Sequence, residues 1–300
     1  MKKIIIVAGG TGNLGARIVQ ELLEKGAIVR ALVRPGSDSE KVQHLEKLGA
    51  EIIVITAWDV TTISHACKDV SCVVSALAGL REVIIDAQKI LLDAAVQAGV
   101  PRFIPSDYSI DFTGLPAGSN RNLDLRREFH LYLDKAAIKA TTVFNGAFTD
   151  MLTGQMPMIL FKYKRVLYWG SADQQMDFTT IANTAQFTAN AALDADTPRF
   201  LRIAGDQLSP RLMQTIAEKV SGNKYRLTRA GGLGLLSFLI KTGRIIAPGK
   251  QELYPAWQGM QYMHNMSGGK AKMKTIDNNR YPGIKWTNVN EVLKNYLSRQ

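Results

Sequence analysis

A short glycine-rich loop near the start of the chain constrains the fold more than any other feature of the sequence. Lys3 to Ala8 is the apolar run expected of a strand covered on both faces. Residues 14–24 then carry apolar side chains at helical spacing, and Gly26 ends that segment. The loop itself reads Gly9-Gly10-Thr11-Gly12-Asn13-Leu14-Gly15. A strand, a glycine turn and a helix in direct succession predict the first βα unit of a parallel sheet.

The spacing of these glycines also predicts a ligand for the loop. Two overlapping registers are present, Gly10-x-Gly12-x-x-Gly15 and Gly9-x-x-Gly12-x-x-Gly15. Such glycines allow a tight turn and a close approach of the backbone to a pyrophosphate, whose charge a helix N-terminus favours. We therefore expect residues 9–15 to hold the phosphates of a dinucleotide. The alternative is a glycine-rich turn that binds no ligand.

The alternation of strands and helices continues through the first half of the chain. Strands are expected at 27–33, 51–56, 70–76, 102–105 and 141–145, and helices at 38–48, 63–67, 81–97 and 122–137. This rhythm predicts an α/β fold with a Rossmann-type doubly wound parallel sheet. We place the dinucleotide-binding Rossmann domain at 1–150. A smaller mixed α/β substrate-binding domain is expected over 151–300, with room for some of its segments to return to the first sheet.

The second half has a looser pattern. Strands are expected at 166–169 and 200–204, and helices at 179–193, 209–221, 232–243 and 288–298. The stretch from Ile246 to Gly283 is punctuated by glycine and proline, and no element is predicted in it.

The net charge of +11 narrows the classes of partner only slightly. The lysines and arginines are scattered and lack interleaved aromatic residues, which disfavours nucleic-acid binding. No apolar stretch approaches the roughly 18 residues of a membrane span, so no membrane partner is expected. Cys67 and Cys72 are the two cysteines and form neither a disulfide framework nor a zinc signature. A cytoplasmic protein without a metal site is predicted.

Arg34 refines the expected cofactor. It follows the second strand, about 20 residues past the loop, where an acidic residue would accept hydrogen bonds from the adenosine ribose of NAD. A guanidinium instead suits a 2′-phosphate. NADP(H) is therefore predicted, the alternative being that Arg34 is a solvated loop residue.

Further candidate residues follow the other predicted strands. Ligands of open α/β sheets bind beyond the carboxyl ends of the strands. Ser75 and Ala76 end the fourth strand, and their small side chains allow a nucleotide to lie close. Ser106 and Tyr108 follow the fifth strand and Asn145 ends the sixth, so these three are candidates for the nicotinamide end. Loop-capping roles are the alternative for each.

With these segments laid out, the chain resembles the NmrA-like and isoflavone-reductase-like group, an atypical branch of the short-chain dehydrogenases/reductases. The resemblance rests on the glycine loop, on Val33-Arg34-Pro35, on the passage from Ala94 to Ser106, and on Tyr281-Pro282-Gly283-Ile284-Lys285-Trp286. It implies a reduced nicotinamide cofactor bound across the sheet, and a small substrate between that cofactor and the C-terminal domain.

The chain departs from this family's relatives at the catalytic position. Short-chain reductases generally use Tyr-x-x-x-Lys on the helix before the sixth strand, and isoflavone-reductase-like enzymes keep the lysine. Here Arg126 occupies the lysine position and Asn122 the tyrosine position. Arginine does not exchange protons near neutral pH, but it can orient a ribose or polarise a carbonyl. Arg126 and Tyr108 are the candidate catalytic residues, whereas His130 and Asp107 are interpreted as structural.

Three functions are open on the sequence alone. The first is an NADPH-dependent reductase that transfers hydride to a small carbonyl, enone, quinone or aromatic substrate. The second is a non-catalytic NADP-sensing regulator with a protein partner, which Arg126 favours. The third is an enzyme like the sugar-nucleotide epimerases and dehydratases, disfavoured because that chemistry relies on the missing Tyr/Lys pair. An oligomer is compatible with each.

Overall fold

Six parallel strands form the main sheet, in the order β3-β2-β1-β4-β5-β6. The computed structural model describes residues 2–299. The strands of this sheet are β1 (Ile4–Ala8), β2 (Ile28–Val33), β3 (Glu51–Val54), β4 (Val70–Ser75), β5 (Arg102–Ile104) and β6 (Lys139–Ala140). The strand order reverses between β1 and β4, so their carboxyl ends flank the switch point at which doubly wound folds bind ligands. The predicted Rossmann-type sheet is confirmed.

Helices connect these strands and cover the sheet. They are α1 (Asn13–Glu24), α2 (Ser39–Leu48), α3 (Val60–Ala66), α4 (Gln88–Gln97) and α5 (Arg121–Leu133), and a π-helical segment, Glu82–Ala87, runs directly into α4. A buried apolar core joins the sheet to the helices and includes Ile6, Val73, Leu91, Phe103 and Phe129. Since β1 and β4 are buried along almost their whole length, they read as continuous apolar runs in the sequence.

The remaining strands and helices are shorter or more scattered along the chain. The strands are β7 (Thr142–Phe144), β8 (Ala147–Phe148), β9 (Ile159–Leu160), β10 (Arg165–Trp169), β11 (Met176–Thr179), β12 (Phe200–Arg202), β13 (Asp206–Leu208) and β14 (Arg226–Gly231). The helices are α6 (Ile181–Leu193), α7 (Pro210–Ser221), α8 (Leu233–Ile246), α9 (Ala256–Ser267) and α10 (Val289–Leu297). The strands form three small sheets, β14-β10-β9, β13-β11-β8 and β12-β7.

The chain divides into two compact units, each assembled from three segments. Unit 1 comprises residues 1–108, 125–143 and 184–201, and unit 2 comprises 109–124, 144–183 and 202–300. From the sequence, one boundary is expected at residue 150, with room for later segments to return to the first sheet. The last segment of unit 1, residues 184–201, contains most of α6.

The predicted sixth strand, 141–145, is wrong as a member of the main sheet. The sixth strand is β6, and the chain leaves β5 after Thr141 donates its backbone N–H to the carbonyl oxygen of Phe103 at 3.0 Å. The next residue, Thr142, already donates to the carbonyl oxygen of Arg199 at 2.9 Å, and β7 pairs with β12. Asn145 therefore follows a strand of a different sheet.

One helix lies where no element was predicted. α9 occupies the middle of the glycine- and proline-punctuated stretch, and it begins directly after Pro255. Within the described residues 2–299, no helix combines the length and the apolar composition that crossing a bilayer requires.

Candidate cofactor site

The loop after β1 is closed by backbone contacts that only glycine permits. Gly9 has φ +85°, and its carbonyl oxygen accepts the N–H of Gly12 at 3.0 Å. A Cβ on Gly9 would lie 2.6 Å from the carbonyl oxygen of Ala76, and a Cβ on Gly15 would lie 2.1 Å from that of Gly9. The loop therefore packs directly on the end of β4, and α1 packs directly on the loop.

The first turn of α1 offers backbone donors that no side chain caps. Gly12 is the N-cap residue and is exposed, as is Asn13. The neighbouring helices differ, because Asp38 and Asp59 cap α2 and α3 with their carboxylates. An uncapped, glycine-rich helix start beside the switch point is the arrangement that receives an anionic group.

Arg34 stands at the rim of a surface cavity of about 360 Å³ beyond the end of β2. The lining consists of Val33, Arg34, Pro35, Gly36, Ser37, Ser39, Val42, Gln43 and Val54. No acidic residue is among them. The turn is held by Ser37, whose hydroxyl donates to the carbonyl oxygen of Arg34 at 2.7 Å and accepts its N–H at 3.2 Å. The guanidinium is exposed on a fixed turn, which suits recognition of a phosphate.

Ser75 and Ala76 lie where β4 meets the loop. Ser75 is fully buried, and its hydroxyl oxygen has no hydrogen-bond partner among the described residues. Ala76 donates its N–H to the carbonyl oxygen of Ala8 at 2.8 Å, which extends the pairing of β1 and β4 by one residue. A buried hydroxyl without a partner at a strand end is available to a ligand atom.

Ser106 is held by three groups from different elements. Its N–H donates to the side-chain oxygen of Gln88 at 2.9 Å, and its hydroxyl donates to the carbonyl oxygen of Leu77. Its own carbonyl oxygen accepts the Nε–H of Arg126 at 3.0 Å. The geometry therefore makes Ser106 a rigid part of the strand end.

Arg126 and His130 lie one turn apart on α5 and hold consecutive residues of the same loop. Arg126 bonds to Ser106, and His130 Nε2 lies 2.6 Å from Oδ2 of Asp107. That carboxylate oxygen also accepts the hydroxyl of Thr142 at 2.7 Å. Positions i and i+4 share one face of a helix, so α5 fixes two successive residues after β5 at once. We call this arrangement the α5 clamp.

The clamp keeps Asp107 ionised although the carboxyl is completely buried. Burial by itself raises its pKa. His130, the hydrogen bond from Thr142 and the charge of Arg126 together outweigh burial, so the pKa of Asp107 is lowered.

Tyr108 and Asn145 are both buried. Burial raises the pKa of the Tyr108 phenol strongly, against the weaker lowering effect of Thr188, so the phenol holds its proton. Asn145 is fully buried after β7, and its Nδ2 donates to the carbonyl oxygen of Gly146 at 3.2 Å. Its side-chain oxygen has no partner among the residues described.

Sequence reasoning missed the pairing of His130 with Asp107 and the part played by Gln88. His130 and Asp107 are 23 residues apart, and nothing local to either residue indicates the other. A signal for Gln88 did exist, because an amide in the middle of an apolar helix needs a hydrogen-bond partner once it is buried.

Comparison with known proteins bears on the whole chain. A model of the NmrA-like family matches residues 1–291. The chain is 28% identical over 315 residues to pinoresinol reductase 2 of Arabidopsis thaliana, which covers 99% of this chain and 98% of that protein.

Solved structures share the fold along the same length. The complex of AtPrR2 with NADP+ and (+)pinoresinol superposes with a TM-score of 0.82 at 25% identity, covering 99% of both chains. An isoflavone reductase superposes with a TM-score of 0.83 at 19% identity, covering 99% of this chain and 100% of the other. The second likeness concerns the fold alone.

Proposed function

Because the chain belongs to the NmrA-like family, we propose that it is an NADPH-dependent reductase of a small aromatic compound. The observation that carries the cofactor is the glycine loop, which packs on β4 at Ala76 and leads into an uncapped helix start. The substrate class is proposed from the relatives, which include pinoresinol reductases over essentially the full length of this chain.

The residues at the loop fit a dinucleotide. The N–H groups at the start of α1 and the helix dipole suit the diphosphate. The unpartnered hydroxyl of Ser75 and the small side chain of Ala76 suit a nucleotide lying against the end of β4. Arg34, on a cavity whose lining holds no acid, suits the 2′-phosphate that distinguishes NADP(H) from NAD(H).

When NADPH is bound, its nicotinamide ring supplies the hydride for the reduction. The protein binds and orients the cofactor and the substrate, and it excludes water from them. The α5 clamp and Gln88 hold the chain after β5 through hydrogen bonds to Ser106 and Asp107. This rigidity is what reproducible positioning of two reactants requires.

Proton transfer is not assigned to the usual pair. Arginine side chains do not exchange protons near neutral pH, and burial raises the pKa of the Tyr108 phenol, which therefore keeps its proton. Both remain our candidates for catalytic influence, Arg126 by orienting polar groups and Tyr108 as a hydrogen-bond donor. Reductions that ask little of a protein acid, such as those of quinones and enones, are therefore included in the substrate class.

The test is turnover by the purified full-length protein. NADPH oxidation is followed by absorbance with pinoresinol and with panels of quinones, enones and aromatic aldehydes. Oxidation that depends on one acceptor, and that NADH supports much less well, is the expected result. If no acceptor is turned over although NADPH binds tightly, the proposed reductase activity is wrong.

A second function, an NADP-sensing regulator with a protein partner, is favoured by one observation. Arg126 stands in the lysine position and its Nε is bound to the backbone of Ser106. For a sensor, oxidised and reduced cofactor are expected to bind with different affinity in calorimetry, and turnover is expected to be absent.

A further inference from the structure

Helix α8 exposes a stripe of four large apolar side chains, which the half-buried Thr242 interrupts. Leu235 is 48% exposed, Phe238 62%, Ile245 81% and Ile246 78%. At 100° per residue these four positions fall within an arc of about 100° on one side of the helix. Apolar side chains of this size are rarely exposed together unless the surface has a partner.

The opposite side of α8 is already occupied within unit 2. Leu236 and Ile240 are buried, and the hydroxyl of Ser237 lies 3.0 Å from Nε2 of His264 on α9. A Cβ added to Gly243 would lie 3.2 Å from the Cβ of Trp257, which also belongs to α9. The stripe therefore does not belong to the packing of α8 on α9, and its exposure is that of the outer side of the helix.

The charged residues of α8 have one sign. Lys241 borders the stripe and Lys250 follows the end of the helix, and both are exposed, whereas Arg244 lies on the side that faces α9, with its guanidinium carbon 5.5 Å from the ring centroid of Trp257. The helix carries neither aspartate nor glutamate, and the first acid after it is the exposed Glu252. A partner that complements this surface combines apolar groups with negative charge.

We propose that the α8 stripe binds the surface of an anionic lipid bilayer, with its aliphatic and aromatic side chains at the level of the acyl boundary. Lysine stems lie along an apolar surface while their ammonium groups reach the headgroup phosphates. A two-fold interface would place the two copies of α8, which carry lysine and arginine but no acid, against each other, and this favours a lipid surface over a second copy. No membrane partner is expected from the sequence, because the chain lacks a spanning segment, but binding at the surface of a bilayer does not require one.

Co-sedimentation of the full-length protein with vesicles tests the proposal. Vesicles of phosphatidylcholine alone are compared with vesicles that also contain phosphatidylglycerol, at low and at high salt. We expect the protein to bind the anionic vesicles, to bind the neutral ones much less, and to be released by salt.

Paired variants separate the stripe from general adsorption of a basic protein. Ile245→Gln/Ile246→Gln is expected to lower the partition coefficient by at least about tenfold, because two aliphatic side chains no longer insert. The matched control is Leu131→Gln, which removes a 63% exposed leucine from α5 and should change nothing. Lys241→Gln/Lys250→Gln is expected to lower the partition coefficient about thirtyfold, against no change for the exposed pair Lys135→Gln/Lys139→Gln.

Three outcomes overturn the proposal. The first is no binding to anionic vesicles. The second is vesicle binding that the isoleucine variant does not weaken, because such binding is explained by the protein's scattered positive charge alone. The third is a dimer in analytical ultracentrifugation that the isoleucine variant dissociates while vesicle binding is absent, which assigns the stripe to a second copy. Circular dichroism of each variant confirms folding, and none of these readouts depends on reductase activity.

Discussion

Gly15 and Gly234 both lie in helices, but only Gly15 lies where a side chain would strike backbone. A Cβ on Gly15 would be 2.1 Å from the carbonyl oxygen of Gly9, whereas nothing lies within 4 Å of a Cβ on Gly234. Gly15→Ala is expected to lower the free energy of unfolding by about 1–3 kcal/mol through overpacking, and to weaken NADPH binding. Gly234→Ala should instead raise it by about 0.5–1 kcal/mol. Chemical denaturation of both variants decides, and equal effects would contradict the close packing of the loop.

Arg34 should determine the choice between the two nicotinamide dinucleotides. Arg34→Asp removes the charge-assisted bonds proposed for the 2′-phosphate and places a repulsive charge there. We expect NADPH affinity to fall about tenfold to a hundredfold, with NADH affinity little changed. Calorimetry with both cofactors measures this. The control is Lys2→Asp, an equal change of net charge at the amino end of β1, and a similar loss there would point to long-range charge.

Asp107 should make stability depend on pH. At neutral pH, Asp107→Asn is expected to cost about 3 kcal/mol, since it breaks a buried charged cluster. The folded-state pKa of Asp107 is lowered, so its contribution is complete above the unfolded-state value of about 3.9 and is lost as the pH falls through the folded-state value.

The difference in unfolding free energy between the wild type and Asp107→Asn should accordingly shrink as the pH falls below about 4. Urea titrations at several pH values measure it. Asp134→Asn is the control, because that aspartate is exposed and its pairing with Arg199 is worth at most about 1 kcal/mol. If this difference in unfolding free energy does not change with pH, the ionised carboxylate of Asp107 does not stabilise the fold.

At the scale of elements, the π-helical segment before α4 depends on Gln88. Its side chain accepts from the N–H of Ser106 and donates to the carbonyl oxygen of Ile84 at 3.1 Å. Gln88→Leu keeps the side-chain volume but leaves the N–H of Ser106 and the carbonyl oxygen of Ile84 without this buried partner, which should lower the free energy of unfolding by about 1–3 kcal/mol. We also expect faster hydrogen exchange at the amide of Ser106. The control is Gln97→Leu, which changes an exposed glutamine at the end of the same helix and should alter neither the stability nor the exchange at Ser106. If the amide of Ser106 stays protected in the Gln88 variant, the hydrogen bonds of Ser106 to Leu77 and Arg126 are enough to hold it in place.

The main sheet could be predicted from the sequence because β1 and β4 are buried along almost their whole length, and because a glycine closely follows α1, α2 and α4. The split between β6 and β7 could not, because the chain stays extended on both sides of Thr141 and only its hydrogen-bonding partner changes. The same holds for the α5 clamp, which joins residues that only the fold brings together.

Helix α9 escaped prediction for a different reason. The side it buries includes the amides of Gln258, Gln261 and Asn265, so apolar periodicity does not reveal it. Two of these amides bond to the start of α5: Gln258 donates to the side-chain oxygen of Asn120 at 2.7 Å, and Gln261 accepts the N–H of Arg121 at 3.1 Å. The element is specified by polar partners about 140 residues away in the chain.

At the scale of the whole molecule, unit 1 needs the segment that contains α6. Arg102 donates to the carbonyl oxygen of Ala191 at 2.9 Å, and Lys3 donates to that of Leu193. A fragment of residues 1–150 is therefore expected to lack a cooperative thermal transition, although it contains all six strands of the main sheet. Calorimetry of this fragment, alone and with a peptide of residues 184–201, measures the effect. A sharp transition of the fragment alone would support a boundary at residue 150.

The return of α6 to unit 1 also sets an order of events during synthesis. Until residue 201 has emerged from the ribosome, the part of the chain that carries the glycine loop lacks its last segment. About 60 more residues must be translated after the main sheet is complete before residues 184–201 can pack in unit 1. Mutations that slow the docking of α6 should therefore reduce the yield of protein in cells more than they reduce the equilibrium stability of the finished protein.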